Sequence, residues 1–243
     1  MKQSSQSLDS IVIKATPFER KAESPLSLTS IGVNEIQRNP GGNRDISRSI
    51  KNLPGVSSGF GFRNDLLVRG GAPNENRFYL DDIEIPTINH FATQGASGGS
   101  NGLLNVDFIN NADFYTGAFP AARGNALSSV LALTQREGRK DRVGLTFTLG
   151  ASEAGLTLEG PLTKKKKTTF LVNGRYSYLQ ALFKALKLPF LPTYSDAQFK
   201  ITHKFNNKHD LMFLGVGAYD QLRLNLAQDK TTVRANSSEI SDN

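Results

Sequence analysis

Apolar and polar residues alternate along most of the second half of the chain. Val143, Leu145, Phe147 and Leu149 are separated by glycines and threonines, so one face of this segment is apolar and the other is small or polar. A period of two residues indicates a β-strand whose two faces meet different surroundings. Four later segments repeat the pattern or are apolar enough to form strands: residues 155–159, 170–178, 198–205 and 211–219. The second half is therefore predicted to be an antiparallel sheet of about five strands.

Two environments fit this alternation. In a soluble β-sandwich the apolar face meets a core, whereas in a transmembrane β-barrel the apolar face meets lipid and the polar face lines the lumen. The alternation alone leaves both open. The connections favour the barrel, because residues 160–168 and 206–210 are short and polar while residues 179–193 are long and contain a helical patch. Short turns at one end and long loops at the other are typical of outer-membrane barrels.

Five strands are too few to close a membrane barrel, for which about eight is the smallest practical number. An open sheet in hydrocarbon would leave the N–H and C=O groups of both edges unpaired, which is strongly unfavourable. If the second half lies in a membrane, the sequence is expected to be a fragment of a longer barrel. We adopt that interpretation.

The first half has a different pattern, with short apolar runs between glycine-rich loops. Residues 43–53 are predicted to form a short helix, because Asp45 can cap it and its apolar residues share one face. Asp81 and Asp82 are turn residues between two β-prone segments, which predicts a hairpin. The other predicted strands are residues 66–68, 111–116 and 129–135, and residues 86–101 form a long loop. This pattern indicates an α+β domain with a short mixed sheet and small helices.

The composition narrows the possible function classes. The chain has 243 residues, no cysteine and a net charge of +7. No stretch approaches the roughly 20 apolar residues of a membrane-spanning helix, and the absence of cysteine excludes thiol catalysis and thiolate metal sites. Four consecutive lysines at residues 164–167 fit an exposed turn that resists edge pairing better than a nucleic-acid site. The polar N-terminus shows no signal peptide.

Catalytic and metal-binding patterns are also missing. Asp81, Asp82 and Glu84 could hold a cation or form a catalytic pair, but a hairpin turn explains the aspartates, and Glu84 alternates away from its apolar neighbours. The three histidines are far apart and lack the spacing of zinc ligands. No Gly-x-Ser-x-Gly elbow and no complete dinucleotide loop occurs. We therefore predict no enzyme activity, no metal and no cofactor.

Several motifs resemble those of TonB-dependent outer-membrane receptors. They are Leu-Pro-Gly-Val at residues 53–56, Val-Arg-Gly at 68–70, Tyr-Leu-Asp-Asp-Ile at 79–83, Phe-Tyr-Thr-Gly at 114–117 and Arg-Gly at 123–124. Asp82 stands where the family usually has glycine, and Ser128-Ser129 replaces a common Gly-Gly, but both changes keep turn-tolerant or small residues. The resemblance implies a flexible tail (residues 1–16), a plug domain (17–138) and about five strands of a truncated 22-strand-type barrel (139–243).

The N-terminal tail contains one β-prone patch. It consists of Ile11, Val12, Ile13, Lys14, Ala15 and Thr16. From the residues alone, this patch is either a first strand of the domain or a docking strand that adds to a partner's sheet edge. It is similar to the TonB box of the family, which implies that the energy-transducing protein TonB binds it in the periplasm.

The resemblance implies a function in the bacterial outer membrane, with lipid around the barrel and no nucleic-acid partner. The plug would gate TonB-driven active transport of a scarce small-molecule, metal-chelate or oligomeric nutrient. Apical loops at residues 57–64, 71–76 and 86–95 would contact the ligand. The predicted contact residues are Arg63, Asn74, Glu75, His90 and Phe91, of which Arg63 can bind carboxylate or phosphate and Phe91 offers apolar area. The alternative function is a soluble β-rich binding or adhesion module for polyanionic ligands.

Overall fold

The computed structural model describes residues 27–59, 63–93 and 99–225. These residues form two five-stranded sheets, one before residue 136 and one after residue 143, together with two small two-stranded ribbons. The N-terminal unit contains β1 (Leu28–Gly32), α1 (Val33–Arg38), α2 (Ile46–Ile50), β2 (Val56–Ser58), β3 (Leu66–Val68), β4 (Asn76–Leu80), β5 (Ile83–Ile85), β6 (Asn89–His90), β7 (Asn101–Gly102), β8 (Ile109–Tyr115) and β9 (Ser129–Gln135). Two 3₁₀ turns, Pro73–Glu75 and Val106–Phe108, precede β4 and β8. The C-terminal sheet contains β10 (Gly144–Leu149), β11 (Glu153–Pro161), β12 (Thr168–Ser177), α3 (Leu179–Ala185), β13 (Phe190–Lys204) and β14 (Asp210–Leu224).

The N-terminal unit is built around one mixed sheet in the order β1-β8-β9-β4-β5. Its pairs are antiparallel except for β4 and β9, which run parallel. The inner strands β8 and β9 are largely buried, and β9 carries a nearly continuous apolar run because both of its faces are covered. The helices pack on this sheet and close a core that includes Ile36, Ile50, Leu66, Leu80 and Phe114.

The predicted hairpin is present between β4 and β5. Asp81 and Asp82 have φ values of 47° and 68°, so both turn residues take the left-handed conformation that a two-residue hairpin loop requires. The Asp81 carboxylate accepts hydrogen bonds from the Gln135 backbone N–H (2.8 Å) and from the Lys200 ammonium (2.8 Å). It therefore joins the hairpin to the end of β9 and to the C-terminal sheet.

The C-terminal sheet is a five-stranded antiparallel meander, β10 to β14 in sequence order, as predicted. Its apolar face is exposed: Leu145, Phe147 and Phe213 are 67%, 68% and 62% accessible. Its polar face is buried beneath the N-terminal unit, where Asn173 and Gln198 are 2% and 1% accessible. A soluble sandwich has the opposite arrangement, with its apolar face inside. This arrangement of the two faces is the one expected for a section of barrel wall.

The connections of the C-terminal sheet alternate between its two ends. Residues 162–167 and 205–209 form the short polar turns expected from the sequence. The long connection with α3 lies at the opposite end, together with a tight connection at residues 150–152. Within the described ranges, no helix is long and apolar enough to cross a membrane.

Some elements of the N-terminal unit differ from the sequence prediction. The predicted helix at residues 43–53 is shorter, Ile46–Ile50, but its N-cap is Asp45 as expected, and the carboxylate accepts from the Ser47 N–H at 2.8 Å. Strands β1, β2, β6 and β7 and helix α1 were not predicted. Each has at most six residues, and β1 pairs with β8, which is remote in sequence, so no local pattern marks it.

Candidate ligand-binding cleft

A cleft lies where the N-terminal unit meets the loop end of the C-terminal sheet, with a volume of about 830 Å³. This volume is within the range of small-molecule sites. The N-terminal unit contributes the aromatic ring of Phe91 and polar or cationic side chains, among them Asn43, Arg48, Lys51, Arg63 and Asn64. The C-terminal sheet and its long connection contribute mostly apolar ones, among them Leu179, Leu182, Phe183, Phe190 and Pro192.

Lys51 is the cation of the cleft that lacks a close counter-ion. It follows α2 as the C-cap residue, and its ammonium donates to the Arg63 carbonyl (3.0 Å) and to Asn64 Oδ1 (3.1 Å). Both acceptors are neutral, and no carboxylate among the described residues lies within ion-pair distance of the ammonium. Burial lowers the pKa of Lys51, because desolvation disfavours the charged form. An anionic group entering the cleft would compensate this charge.

Two arginines stand beside Lys51 with carboxylate partners. The Arg63 guanidinium contacts Asp65 (Nε–Oδ2 2.6 Å), which raises the pKa of Arg63. The Arg48 guanidinium lies 3.8 Å from Asp45 and donates to the Ser100 carbonyl. The carboxylate partners are buried, but the guanidinium groups of Arg48 and Arg63 are 37% and 36% accessible, so a ligand in the cleft can reach their open sides.

The opposite wall of the cleft is apolar. Helix α3 follows β12 directly and packs on β13, and the rings of Phe183 and Phe190 meet edge to face with centroids 5.5 Å apart. Leu182 is partly exposed on this wall. Together the two walls present cations on one side and aliphatic or aromatic area on the other.

Phe91 enters the cleft from the loop that follows β6. Its backbone is left-handed, with φ 55°, which is unusual for an aromatic residue. The conformation is held by Asp220 of β14, whose carboxylate accepts the Phe91 N–H at 2.7 Å. The ring of the preceding residue, His90, is buried and points toward β13 and β14 rather than into the cleft.

The five predicted contact residues are therefore not all in one place. Arg63 and Phe91 line the cleft, and His90 lies behind its surface. Asn74 and Glu75 are in the 3₁₀ turn before β4 and do not line the cleft; the Glu75 carboxylate accepts the Ala72 N–H at 3.1 Å. The segment Ile11 to Thr16 and parts of two predicted loops lie outside the described residues.

The sequence of the N-terminal unit matches a known family. Residues 20–130 match the model of the TonB-dependent Receptor Plug Domain. Residues 20–130 are a plug domain of the TonB-dependent receptor type. The motif resemblance is thereby confirmed, and from here the N-terminal unit is called the plug.

Solved receptors share the fold of the plug and the adjoining strands. The siderophore receptor PirA from Pseudomonas aeruginosa superposes with a TM-score of 0.56 at 15% identity, covering 83% of this chain and 35% of that one. The outer-membrane ferripyoverdine receptor of the same organism, bound to ferripyoverdine, superposes with a TM-score of 0.58 at 15% identity, and the match covers 83% of this chain and 26% of that one. The ferric-catecholate import receptor Fiu from E. coli K12 superposes with a TM-score of 0.54 at 14% identity, covering 82% of this chain and 28% of that one. No curated protein sequence matches the chain significantly.

These likenesses establish the fold at low identity. The chain spans about a quarter to a third of the length of the receptors it matches. The matched proteins are receptors of the outer membrane or import receptors, not enzymes. The likeness covers the C-terminal sheet as well as the plug, because more than four-fifths of the chain is aligned.

Sequence reasoning missed most of the cleft. Lys51 was hidden inside a predicted helix, and Leu179, Phe183 and Phe190 belong to a connection that was predicted only as a long loop with a helical patch. The predicted strand order could have indicated these residues. Residues 150–152 and 179–193 connect strands at the same end of the sheet, where they would face the plug.

Proposed function

We propose that this protein binds a nutrient ligand in the cleft between the plug and the loop end of the strands, and takes it up across the bacterial outer membrane with energy from TonB. The observation that carries the proposal is the cleft itself. Plug residues and strand-end residues that are remote in sequence converge there in a domain of the receptor-plug family.

The outward face of the C-terminal sheet supports a place in a membrane. Large apolar side chains are exposed on β10, β11, β12 and β14, and Phe199 and Ile201 of β13 are partly exposed, whereas the polar face is covered by the plug. Contiguous exposed apolar surface of this extent marks contact with lipid or a partner. In an outer-membrane barrel the lipid would cover it.

The cleft favours a ligand with two kinds of surface. Lys51 and the neighbouring arginines favour anionic oxygens, and the wall formed by α3 and β13 favours an aromatic or aliphatic body. The ferripyoverdine and ferric-catecholate of the similar receptors are chelates, so ferric siderophores are the first compounds to test on this chain.

Binding by the cleft is tested with the protein in detergent, a panel of ferric siderophores including ferripyoverdine, and the variants Arg63→Ala, Phe91→Ala and their combination. The double variant is expected to weaken the affinity for a bound chelate by about tenfold or more, because it removes a charge-assisted contact and an apolar one. Asn74→Ala is the matched control, since Asn74 is a predicted loop residue outside the cleft. Equal losses of affinity in the control and the double variant would show that the ligand does not bind in the cleft.

Energy coupling is tested by removing residues 11–16 from the protein in cells. We expect uptake of the bound compound to be lost while surface binding stays at the wild-type level, because strand addition by TonB needs this segment. Removal of residues 4–9 from the same tail is the length-matched control. Undiminished uptake without residues 11–16 would exclude them as the docking strand.

A further inference from the structure

His90 is buried between two carboxylates of the C-terminal sheet. Its Nδ1 lies 2.7 Å from Asp220 Oδ1 on β14, and its Nε2 lies 3.1 Å from Asp196 Oδ2 on β13. The side chains of His90 and Asp196 are 0% and 1% accessible. The ring also stacks on Tyr194, with centroids 4.0 Å apart. Water therefore has little access to satisfy either ring nitrogen in place of the carboxylates.

The two contacts require a particular form of the ring. A neutral imidazole has one N–H donor and one acceptor nitrogen, whereas an imidazolium has two donors. Ionised carboxylates only accept, so both contacts are hydrogen bonds only when both ring nitrogens carry a proton. We infer that His90, Asp196 and Asp220 form a proton-dependent clamp that holds the plug on the C-terminal sheet.

The surrounding charges favour the protonated ring. Behind Asp196, the Arg175 guanidinium bridges Asp196 (3.0 Å) and Glu153 (3.2 Å), and the Tyr194 hydroxyl donates to Glu153. The sheet thus directs three carboxylates and one guanidinium toward this region, and a positive ring brings the cluster closer to balance.

Within the described part of the plug, no ion pair brings a lysine or arginine to Asp196 or Asp220. His90 is paired across the β6–β7 ribbon with Asn101, which is neutral. Asp45 lies beside Gly102 of the same ribbon, and its carboxylate already faces Arg48 at 3.8 Å. The ring of His90 is therefore the plug's cationic contribution to the clamp.

The clamp also positions the cleft. Asp220 accepts from the His90 ring through Oδ1 and from the Phe91 N–H through Oδ2 at 2.7 Å, so one carboxylate fixes two consecutive plug residues. Loss of the ring proton would remove one hydrogen bond and leave a nitrogen lone pair facing a carboxylate oxygen. The clamp is complete at low pH and weakens as pH rises, since proton loss favours the released plug. This inference does not depend on the ligand or on TonB.

The protonation state can be read directly in the unmodified chain. The protein contains three histidines, so ¹⁵N-histidine labelling gives three ring signals, and the spectrum of a His203→Gln, His209→Gln variant assigns the one from His90. Two protonated ring nitrogens are expected for His90 in mildly acidic buffer, because both contacts are hydrogen bonds only in that form. A neutral His90 ring in the same buffer would overturn the clamp, whatever the variants below show.

The coupling to plug release is tested by hydrogen exchange of residues 88–93 in the full chain in detergent micelles, corrected for the base-catalysed intrinsic rate. In the wild type, opening of this segment is expected to increase by about tenfold from acidic to mildly alkaline buffer, because one charge-assisted hydrogen bond is lost with the ring proton. His90→Gln should abolish this dependence, and Asp220→Asn should reduce it. His209→Gln, in the exposed turn at the far end of the sheet, is the control and should behave as wild type. An unchanged pH dependence in His90→Gln would refute the coupling.

Discussion

Asp45 illustrates how single residues join separate segments of the plug. Its carboxylate caps helix α2 through the Ser47 N–H (2.8 Å) and accepts from Asn64 Nδ2 (2.9 Å) in the loop before β3. Gly102 of β7 passes so closely that a Cβ there would lie 3.1 Å from the carboxylate. Burial raises the pKa of Asp45, because its desolvation outweighs the nearby Arg48 and the capping N–H groups.

This raised pKa gives a pH-dependent prediction for Asp45→Asn. A carboxyl group with a raised folded-state pKa contributes its full stability below the unfolded value, here 3.8, and loses it as pH rises through the folded value. Asparagine does not titrate, so the stability of the variant relative to wild type should increase from about pH 4 upward. Denaturant unfolding of both proteins in detergent, measured across this range, checks the sign. A relative stability that falls with rising pH would contradict it.

Only part of the cleft could be predicted at the residue scale. Arg63 and Phe91 were predicted from residue chemistry and the resemblance of their loops, and both line the cleft. The structure adds what local sequence does not carry. The left-handed backbone of Phe91 is fixed by Asp220, which lies 129 residues away. Asp220 also contacts the His90 ring, which is buried behind the surface of the cleft. The side-chain chemistry of His90 alone does not indicate this burial.

At the element scale, predictability follows the distance between pairing partners. The β4–β5 hairpin and the meander β10–β14 pair neighbours in sequence, and their turn residues and alternation mark them. The parallel pair β4–β9 and the edge pair β1–β8 join segments that are distant in sequence. Local residue spacing therefore does not predict these pairings. The order of the plug sheet therefore could not be derived, although most of its longer strands were predicted.

The segment that links the two sheets depends on a close backbone approach at Gly138. A Cβ at this position would lie 2.2 Å from the Phe170 carbonyl oxygen of β12. Nearby, Arg136 binds Glu159 of β11 (Nη2–Oε1 3.1 Å) and donates to the Asp107 carbonyl. The linker is thus pinned between the plug and the first strands of the sheet.

Gly138→Ala is expected to displace the linker and destabilise the protein by about 1–3 kcal/mol, the usual range for overpacking. Gly144→Ala, at the start of β10, is the matched control, because its nearest contact would be 3.6 Å from a flexible arginine side chain. Denaturant midpoints of the two variants in the same detergent provide the comparison. Equal midpoints would show that the linker accommodates the methyl group.

For the whole molecule, the two faces of the C-terminal sheet decide how plug and strands combine. The polar face meets the plug through contacts such as Gln198 Oε1 with the Asn105 N–H (3.1 Å) and Lys200 with Asp81 (2.8 Å). Polar and ionic contacts between the two parts exchange for water more readily than an apolar core would. Such an interface is compatible with the plug movement that the proposed uptake requires, and the proposed membrane location would place the apolar face against lipid.

Val172 at the centre of β12 tests this arrangement. Its side chain is 40% accessible on the outward face, opposite Leu158 and Phe199 on the adjacent strands. In a bilayer, Val172→Arg should cost about 2–4 kcal/mol of folding free energy, whereas Phe205→Arg, in the turn at the sheet end, should cost about 0–1 kcal/mol. On the surface of a soluble module, both would change stability by only about 0.5 kcal/mol. Folding titrations in lipid vesicles separate the two cases. Equal small effects at both positions would show that the outward face contacts water and not lipid.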